Sequence, residues 1–254
     1  MERAVTRFLL TIQYLGTRYS GWQSQTNARG VQDEIQDALS TMCQRPVTIH
    51  GAGRTDTGVH ARGQRAHVDL SIDIEPLGLV KGLNTMLPDD IRITDASIVP
   101  EDFHARYHAR GKVYTYRIWN HQLADAFHSP THGWIKVPLD SDRMRDAAGL
   151  LVGHHDFRAF TVTRLGVRTT TRTIHSITVD RTGNAIEITI SGNGFLRYMV
   201  RRIVGVLIEV GAGRLEAGQT SSFLEPKFEE VRWTAPAQGL TLEKVSYDGI
   251  SRTN

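Results

Sequence analysis

The residues best suited to chemistry lie in one short loop, GRTDTGVH, at positions 53–60. Its Asp-Thr-Gly triplet places the carboxylate of Asp56 two residues after Arg54, and glycines at 51, 53 and 58 let a ligand approach the backbone closely. A carboxylate that acts as a nucleophile or a general base must be ionised at neutral pH, and a nearby guanidinium favours that form. The loop therefore indicates chemistry at a charged Asp56.

Two other interpretations of this loop compete with that one. The Asp-Thr-Gly triplet also carries the catalytic carboxylate of aspartic proteases, but those enzymes need two carboxylates that share one proton. This chain has one such triplet, and Arg54 opposes the protonated form, so a protease is disfavoured. A tight turn with an Asx hydrogen bond and a surface arginine is the purely structural alternative.

A second group of candidates lies in FLRYMVRRIVGVLIEV, residues 195–210, whose apolar residues recur at helical spacing. Arg197 and Arg201 are four residues apart and are predicted to share one face of this helix. Arg201 borders the apolar stripe, and an arginine at the edge of a core needs a carboxylate partner. The sequence offers three candidates for that partner: Asp56, Asp156 and Glu209.

Two tyrosines share one face of a predicted strand, KVYTYRIWN, at residues 112–120. Paired aromatics such as Tyr114 and Tyr116 stack on bases in RNA-binding sheets, but they more often simply fill a core.

The charge distribution favours a polyanion as partner. Residues 101–214 carry a net +6 and the remainder a net −3, and 25 of the 30 basic residues are arginine, which binds phosphate and stacks on bases. A codon bias toward arginine on an ordinary solvated surface is the alternative.

The composition excludes several classes of protein. The single Cys43 excludes a disulfide framework and a cysteine-based zinc site, and it is typical of a reducing cytosol; we predict it to be a small core residue. No apolar run approaches the roughly 20 residues of a membrane span, and no secretory signal is recognisable. Histidines 121, 128 and 132 and the run His154-His155-Asp156 lack a spacing that would converge on a metal, so we predict loop histidines. We expect a cytoplasmic protein without membrane contact.

The elements that must position these residues follow from periodicity and from turn signals. Strands are predicted at 7–16, 46–70 (around the loop), 91–100, 112–120, 170–181, 184–192 and 239–249, and helices at 31–43, 76–87, 140–153 and 195–210. Hairpins replace repeated βαβ crossovers, which predicts an α+β fold with helices on one face of antiparallel sheets. We divide the chain into an N-terminal half, residues 1–108, which carries the Asp56 loop, and a C-terminal half, residues 109–254.

Several motifs occur together and in order along nearly the whole chain, from about residue 7 to 248. They are GAGRTDTGVHARGQRAH, LNTMLPDDIRI, FHARYHARGKVYTYRI, DFRAF, RTIHSI, GNGFLRYMVRRIVGVLIEVG and APAQGLTLEKVSYD. Each motif alone is weak evidence, but the ordered set closely resembles the TruA-type tRNA pseudouridine synthases.

The resemblance implies a role for four residues. Asp56 falls on the catalytic aspartate, Arg54 on an arginine linked with flipping the target base, Tyr114 on a tyrosine that packs against the uracil, and Arg201 on the partner of the catalytic carboxylate. It also implies two RRM-like halves whose sheets join side by side around a cleft, a homodimer that binds tRNA, and uridines 38–40 of the anticodon stem-loop as targets. Neither a metal nor a small-molecule cofactor is expected. A non-catalytic RNA-binding protein is the alternative.

Further basic residues have no such counterpart in the family. We predict that they contact RNA phosphates: Arg110, Lys112, Arg164, Arg168 and Arg202.

Overall fold

The computed structural model describes residues 5–162, 169–227 and 230–249. Their contacts divide into two units. The first comprises the described residues of Met1–Arg110 and Leu242–Asn254, and the second comprises those of Gly111–Thr241. The last strand therefore belongs mostly to the first unit, whereas the sequence analysis assigned it to the C-terminal half. This strand hydrogen-bonds to a strand of the N-terminal half, His60–Leu70, which lies far from it in the sequence.

The central strand of the first unit, His60–Leu70, is buried along most of its length. Its elements are β1 (Thr6–Tyr14), α1 (Val31–Cys43), β2 (Ile49–Gly51), β3 (His60–Leu70), α2 (Pro76–Met86), β4 (Ile91–Ile98) and β10 (Leu240–Tyr247). The sheet order is β4-β1-β3-β10, with β2 also paired to β3. The β1/β3, β1/β4 and β2/β3 pairs are antiparallel. A one-residue irregularity in register near the end of β1 precedes the segment that contacts the Asp56 loop.

The second unit contains a set of paired strands and two packed helices. Its elements are β5 (Ala109–Asn120), β6 (Gly133–Ile135), α3 (Ser141–Gly149), β7 (Gly153–Asp156), β8 (Thr171–Thr182), β9 (Ala185–Gly192) and α4 (Met199–Gly211). The order β5-β9-β8-β7 is antiparallel throughout, and the short β6 runs parallel to β5. Helix α3 packs on β8 and on α4. The predicted α+β class with antiparallel sheets is thus confirmed.

Local sequence signals predict some of the helix ends correctly and others incorrectly. Asp140 caps α3 by accepting hydrogen bonds from the backbone N–H groups of Asp142 (2.9 Å) and Arg143 (3.1 Å), as the sequence predicted. The helix ends at Gly149, not at Gly153, which adopts φ +123° and opens β7 instead. Helix α4 begins at Met199, four residues later than predicted. In the part of the chain that the structure describes, no helix is long and apolar enough to cross a membrane.

Candidate active site

The Asp56 loop connects β2 to β3 in the first unit. Thr55 is buried, Asp56 is half-buried, and Thr57 and Arg54 are exposed. The Asp56 backbone carbonyl accepts a hydrogen bond from the Val59 N–H (3.1 Å), which closes a tight turn immediately after the carboxylate. The loop thus exposes one face to solvent and keeps the other in the core.

The segment between β1 and α1 anchors this loop from one side. The N–H of Trp22 donates to the Thr55 carbonyl (3.2 Å), and the N–H of Gly58 donates to the Tyr19 carbonyl (3.4 Å). The hydroxyl groups of Tyr14 and Thr55 form a buried hydrogen bond of 2.8 Å. Because these bonds flank Asp56 on both sides in sequence, they restrict the backbone that carries its carboxylate.

Gly21 makes the closest approach of this segment to the loop. Its φ of +87° lies in the left-handed region, and a Cβ atom there would sit 2.4 Å from the Thr55 carbonyl oxygen and 3.1 Å from the Asp56 carbonyl carbon. Only glycine meets both demands without displacing the loop. The sequence analysis did not identify this segment, although its glycines at 16 and 21 among three aromatic residues are the pattern of a tightly packed turn.

Arg54 lies two residues before Asp56 and points away from the core. Its Nε donates to the Oε1 atom of Gln23 at 2.9 Å, and the side chain is otherwise exposed. The contact with Gln23 restricts the direction of this long side chain and leaves the rest of the guanidinium exposed at the surface.

Tyr114 and Tyr116 lie on the same face of β5 in the second unit, as the alternation predicted, and both are buried. Tyr114 is 8% exposed, and Phe195 meets its ring edge-on at a centroid distance of 5.3 Å. The hydroxyl of the fully buried Tyr116 donates to the Pro236 carbonyl at 2.9 Å. Burial raises the pKa of Tyr116, and the charge of Arg201 opposes that shift.

Arg201 occupies the first turn of α4 and is half-buried. Its Nε donates to the Ala235 carbonyl (2.8 Å), and its own carbonyl accepts from the Ala235 N–H (3.0 Å). The guanidinium carbon lies 5.1 Å from the ring centroid of Tyr198. The side-chain contacts with Ala235 and Tyr198 restrict the orientation of the guanidinium group.

Tyr198 explains why α4 begins late. It adopts φ +62° at the N-cap, a left-handed conformation that interrupts the predicted helix, and its side chain provides no capping hydrogen bond. Arg197 therefore lies outside the helix, and the prediction that Arg197 and Arg201 share a helical face is wrong. Both guanidinium groups nevertheless contact the Tyr198 ring, at 5.2 Å and 5.1 Å.

Two of the three carboxylates suggested as partners of Arg201 bind other arginines. Asp156 accepts from Arg158 Nε at 2.7 Å, and that arginine helps hold the pKa of Asp156 below its usual value although burial raises it. Glu209 accepts two hydrogen bonds of 2.7 Å from Arg214. Both carboxylates therefore already have a basic partner.

The predicted phosphate contacts differ in their surroundings. Arg110 is exposed and donates to Asp248 at 2.7 Å, and Lys112 is half-buried near the start of β5. Arg202 is only 4% exposed and is hydrogen-bonded to Glu230 and to the Ala159 carbonyl, so the prediction that it contacts phosphate is wrong: its position on α4 faces the interior. Arg164 and Arg168 lie outside the described residues.

The histidines at 121, 128 and 132 cluster with the ring of Trp119. His128 stacks on Trp119 at 4.1 Å, and His132 meets His128 edge-on at 4.8 Å. Within the described ranges, no group of three or more His, Cys, Asp or Glu side chains is arranged to hold a metal ion. Cys43 is half-buried at the end of α1, so it is less enclosed than a core residue.

Comparison with known proteins confirms the resemblance seen in the sequence. The profile of a family described as tRNA pseudouridine synthase matches residues 10–108 and 147–248. The tRNA pseudouridine synthase A of Bacillus sp. (strain KSM-64) is 43% identical over 244 residues, 96% of this chain and 100% of that protein. Those of Ruminiclostridium cellulolyticum (44% over 240 residues; 94% and 98% covered) and Myxococcus xanthus (40% over 243 residues; 95% and 92% covered) are similarly close. The chain therefore belongs to the tRNA pseudouridine synthases, isomerases that convert uridine to pseudouridine in tRNA.

Proposed function

We propose that this enzyme modifies uridines 38–40 in the anticodon stem-loop and that the carboxylate of Asp56 is its catalytic group. The observation that carries the assignment is the anchoring of the Asp56 loop, whose backbone is hydrogen-bonded on both sides of a half-buried carboxylate. A reacting group must be held close to its productive geometry, and these hydrogen bonds restrict the backbone that carries the Asp56 carboxylate. The target positions follow from the family resemblance.

The reaction rearranges the base without any net change in its atoms. The N1–C1′ bond breaks, the base turns, and a C5–C1′ bond forms while C5 loses a proton and N1 gains one. An ionised Asp56 serves at the ribose, as nucleophile at C1′, as counter-charge to a cationic C1′, or as base for the C2′ proton. Each role requires the charged form, and a positive partner favours that form. We assign this partnership to Arg201 because the family resemblance places it on the partner of the catalytic carboxylate, and the other two candidate carboxylates, Asp156 and Glu209, bind other arginines.

The target uridine must leave the stem before its base can turn. Flipping costs a few kcal/mol, and stacking on an aromatic ring returns about 1–3 kcal/mol per base. Tyr114 receives the uracil in this scheme, with Phe195 fixing its ring from the side. Arg54, exposed beside the catalytic carboxylate, occupies the space that the base vacates. Arg110, Lys112, Arg164 and Arg168 remain proposed phosphate contacts.

The assembly and location of the enzyme belong to the same proposal. We propose a cleft between two RRM-like halves with sheets joined side by side, a homodimer that binds one tRNA across both subunits, and action in the cytoplasm, where its tRNA substrate is found. Sedimentation of the protein with and without tRNA tests the dimer directly: one RNA bound per two chains is expected, and one RNA per single chain would contradict the proposal.

Release of tritium from tRNA labelled at uridine C5 tests the function itself. Rejoining through C5 expels that hydrogen, so we expect release from unmodified tRNA with uridine at positions 38–40. A matched tRNA with cytidine at all three positions should release none. Equal release from both RNAs would contradict the target positions and leave the chemistry standing, whereas no release from any tRNA would contradict the function.

Tyr114 should contribute through its ring and not through its hydroxyl. We expect Tyr114→Phe to keep kcat/KM within about threefold and Tyr114→Leu to lower it by about 5- to 150-fold, which corresponds to one lost base stack of about 1–3 kcal/mol. The measurement is tritium release at several tRNA concentrations, with the thermal midpoint of each variant as a folding control. Loss of activity in the phenylalanine variant would instead assign chemistry to the hydroxyl.

A further inference from the structure

A column of neighbouring aromatic rings lies in the first unit, outside the Asp56 loop; one pair is stacked and the other two contacts are tilted. His50 on β2 and His67 on β3 face each other in register, with ring centroids 5.0 Å apart and planes tilted by 23°. The ring of His104 lies 4.6 Å from that of His67, and the ring of Tyr107 lies 4.2 Å from that of His104. Four side chains from three segments of the chain thus form one continuous aromatic array.

Hydrogen bonds to the imidazoles of His67 and His104 keep these two rings ordered and uncharged. The N–H of Ala105 donates to His67 Nδ1 (3.2 Å), and the N–H of Arg106 donates to His104 Nδ1 (3.1 Å), so both nitrogen atoms act as acceptors and carry no proton. Burial, followed by the neighbouring His104 and His50, lowers the pKa of His67 to about 4, and burial also lowers the pKa of His104. At neutral pH the two central rings, those of His67 and His104, are therefore neutral.

The column reaches the surface at both ends. His50 and Tyr107 are exposed, Tyr107 to 71%, whereas His67 is 3% exposed and His104 is half-buried. The Tyr107 ring is therefore supported on one side by His104 while much of its own surface stays open to solvent. A large aromatic side chain that is both exposed and held in place is pre-organised for contact, because binding costs it little conformational entropy.

Positive charge accompanies the exposed ring. Arg106 is exposed, and its guanidinium carbon lies 6.0 Å from the Tyr107 ring centroid. The stretch from His104 to Lys112 contains Arg106, Arg110 and Lys112 and no carboxylate. An exposed aromatic ring beside a cation suits a nucleobase and its phosphate, whereas a protein partner would call for a wider apolar patch than one ring surrounded by polar residues.

We propose that Tyr107 and Arg106 form a second tRNA-binding site, in which an unpaired base stacks on the Tyr107 ring and Arg106 contacts a neighbouring phosphate. The site lies outside the residues assigned to catalysis, so its contribution is to affinity. It uses the enzyme's own substrate as ligand, and it requires no particular target position.

The salt dependence of tRNA binding separates the two contributions. We expect Tyr107→Ala to raise the Kd for unmodified tRNA by about 5- to 150-fold at every salt concentration, because stacking releases no counterions, and Tyr107→Phe to stay within about twofold of the wild type. Arg106→Ala should weaken binding most at low salt and reduce the slope of log Kd against log salt by about one. The measurement is filter binding between 50 and 300 mM salt, on the order of the range where such slopes are linear.

A second exposed aromatic residue provides the matched control. Phe127, which is 92% exposed in the second unit, should tolerate alanine without a change in Kd, and all variants should melt close to the wild type because exposed side chains contribute little to stability. With saturating tRNA, Tyr107→Ala should retain the wild-type kcat for tritium release and show a raised KM. This outcome depends on binding and is independent of which uridine reacts.

Three results would overturn the proposal. An unchanged Kd for Tyr107→Ala removes the stacking contact, and an equal weakening by Phe127→Ala shows that aromatic loss anywhere has the same effect. A changed salt slope in Tyr107→Ala means that the variant lost ionic contacts, not a stack. Failure of tritium release in the wild type would contradict the proposed function without touching any of these binding measurements.

Discussion

Replacement of Asp56 by asparagine is expected to abolish turnover and to leave tRNA binding nearly intact. Asparagine keeps the size of the side chain and its capacity for an Asx turn, but it cannot supply the negative charge that every proposed role at the ribose requires. Loss of a group that acts directly in a reaction lowers kcat by about 10³-fold or more. The Kd should stay within about tenfold, since phosphate contacts dominate affinity for nucleic acids.

The control for this experiment lies one residue away. Thr57 is exposed in the same loop, so Thr57→Ala should keep near-normal tritium release if the loop tolerates small changes. Asp56→Asn and Thr57→Ala are to be compared for tritium release, for Kd and for thermal midpoint. Turnover by Asp56→Asn at more than about a tenth of the wild-type rate would refute a catalytic carboxylate, since so small a loss is that of an auxiliary contact.

Replacement of Gly21 by alanine is expected to damage catalysis from outside the loop. The new Cβ would need to occupy space 2.4 Å from the Thr55 carbonyl oxygen, at a φ of +87° that alanine adopts with strain. The backbone at Thr55 and Asp56 must shift to relieve the contact, and a shift of about 1 Å in a reacting group costs about 100-fold in rate. We expect kcat to fall by about that factor and the free energy of unfolding to fall by about 2–4 kcal/mol.

A control at Gly183 separates the effect of backbone strain on stability from the effect of a displaced Asp56 loop on activity. It has φ +58° in the turn between β8 and β9, and a Cβ atom there would meet nothing within 4 Å. Gly183→Ala should therefore lose about 1 kcal/mol of stability from strain alone and keep full activity per folded molecule. If Gly21→Ala likewise loses stability but turns over normally when folded, the segment between β1 and α1 stabilises the unit without positioning Asp56.

Elements whose signals are local were predictable from the sequence. Helix α1 has the predicted bounds, Val31–Cys43, because its apolar residues keep a strict helical period between a glycine before it and a left-handed Gln44 after it. The turn between β8 and β9 follows from Gly183 in the same way. The start of α4 was not predictable, since a left-handed tyrosine has no sequence signature, and the short β6 and β7 depend on pairing with distant strands.

The positions of candidate-site residues could likewise be predicted where the signal is local, but not where it depends on contacts between distant segments. Periodicity placed Arg201 at the border of an apolar stripe and Tyr114 on a strand face, but their roles came from the resemblance to a family. Arg202 shows the limit of such reasoning: it lies in an arginine pair on a helix, and only packing reveals that one member faces the interior. The anchoring of the loop by Tyr14 and Gly21 was missed because it joins segments more than 30 residues apart.

The left-handed backbone conformation of Tyr198 lowers stability, whereas its ring contacts the arginines of the candidate site, and both facts bear on adaptation of this enzyme to heat. A non-glycine residue in that conformation lowers the free energy of unfolding by about 1–3 kcal/mol. A single substitution by glycine or asparagine would therefore raise the melting temperature. The same change would remove the ring that lies against the guanidinium groups of Arg197 and Arg201. Because Arg201 is the proposed partner of Asp56, we expect such a substitution to raise the melting temperature and to lower turnover, so a lineage moving to a hotter habitat would have to gain its stability elsewhere.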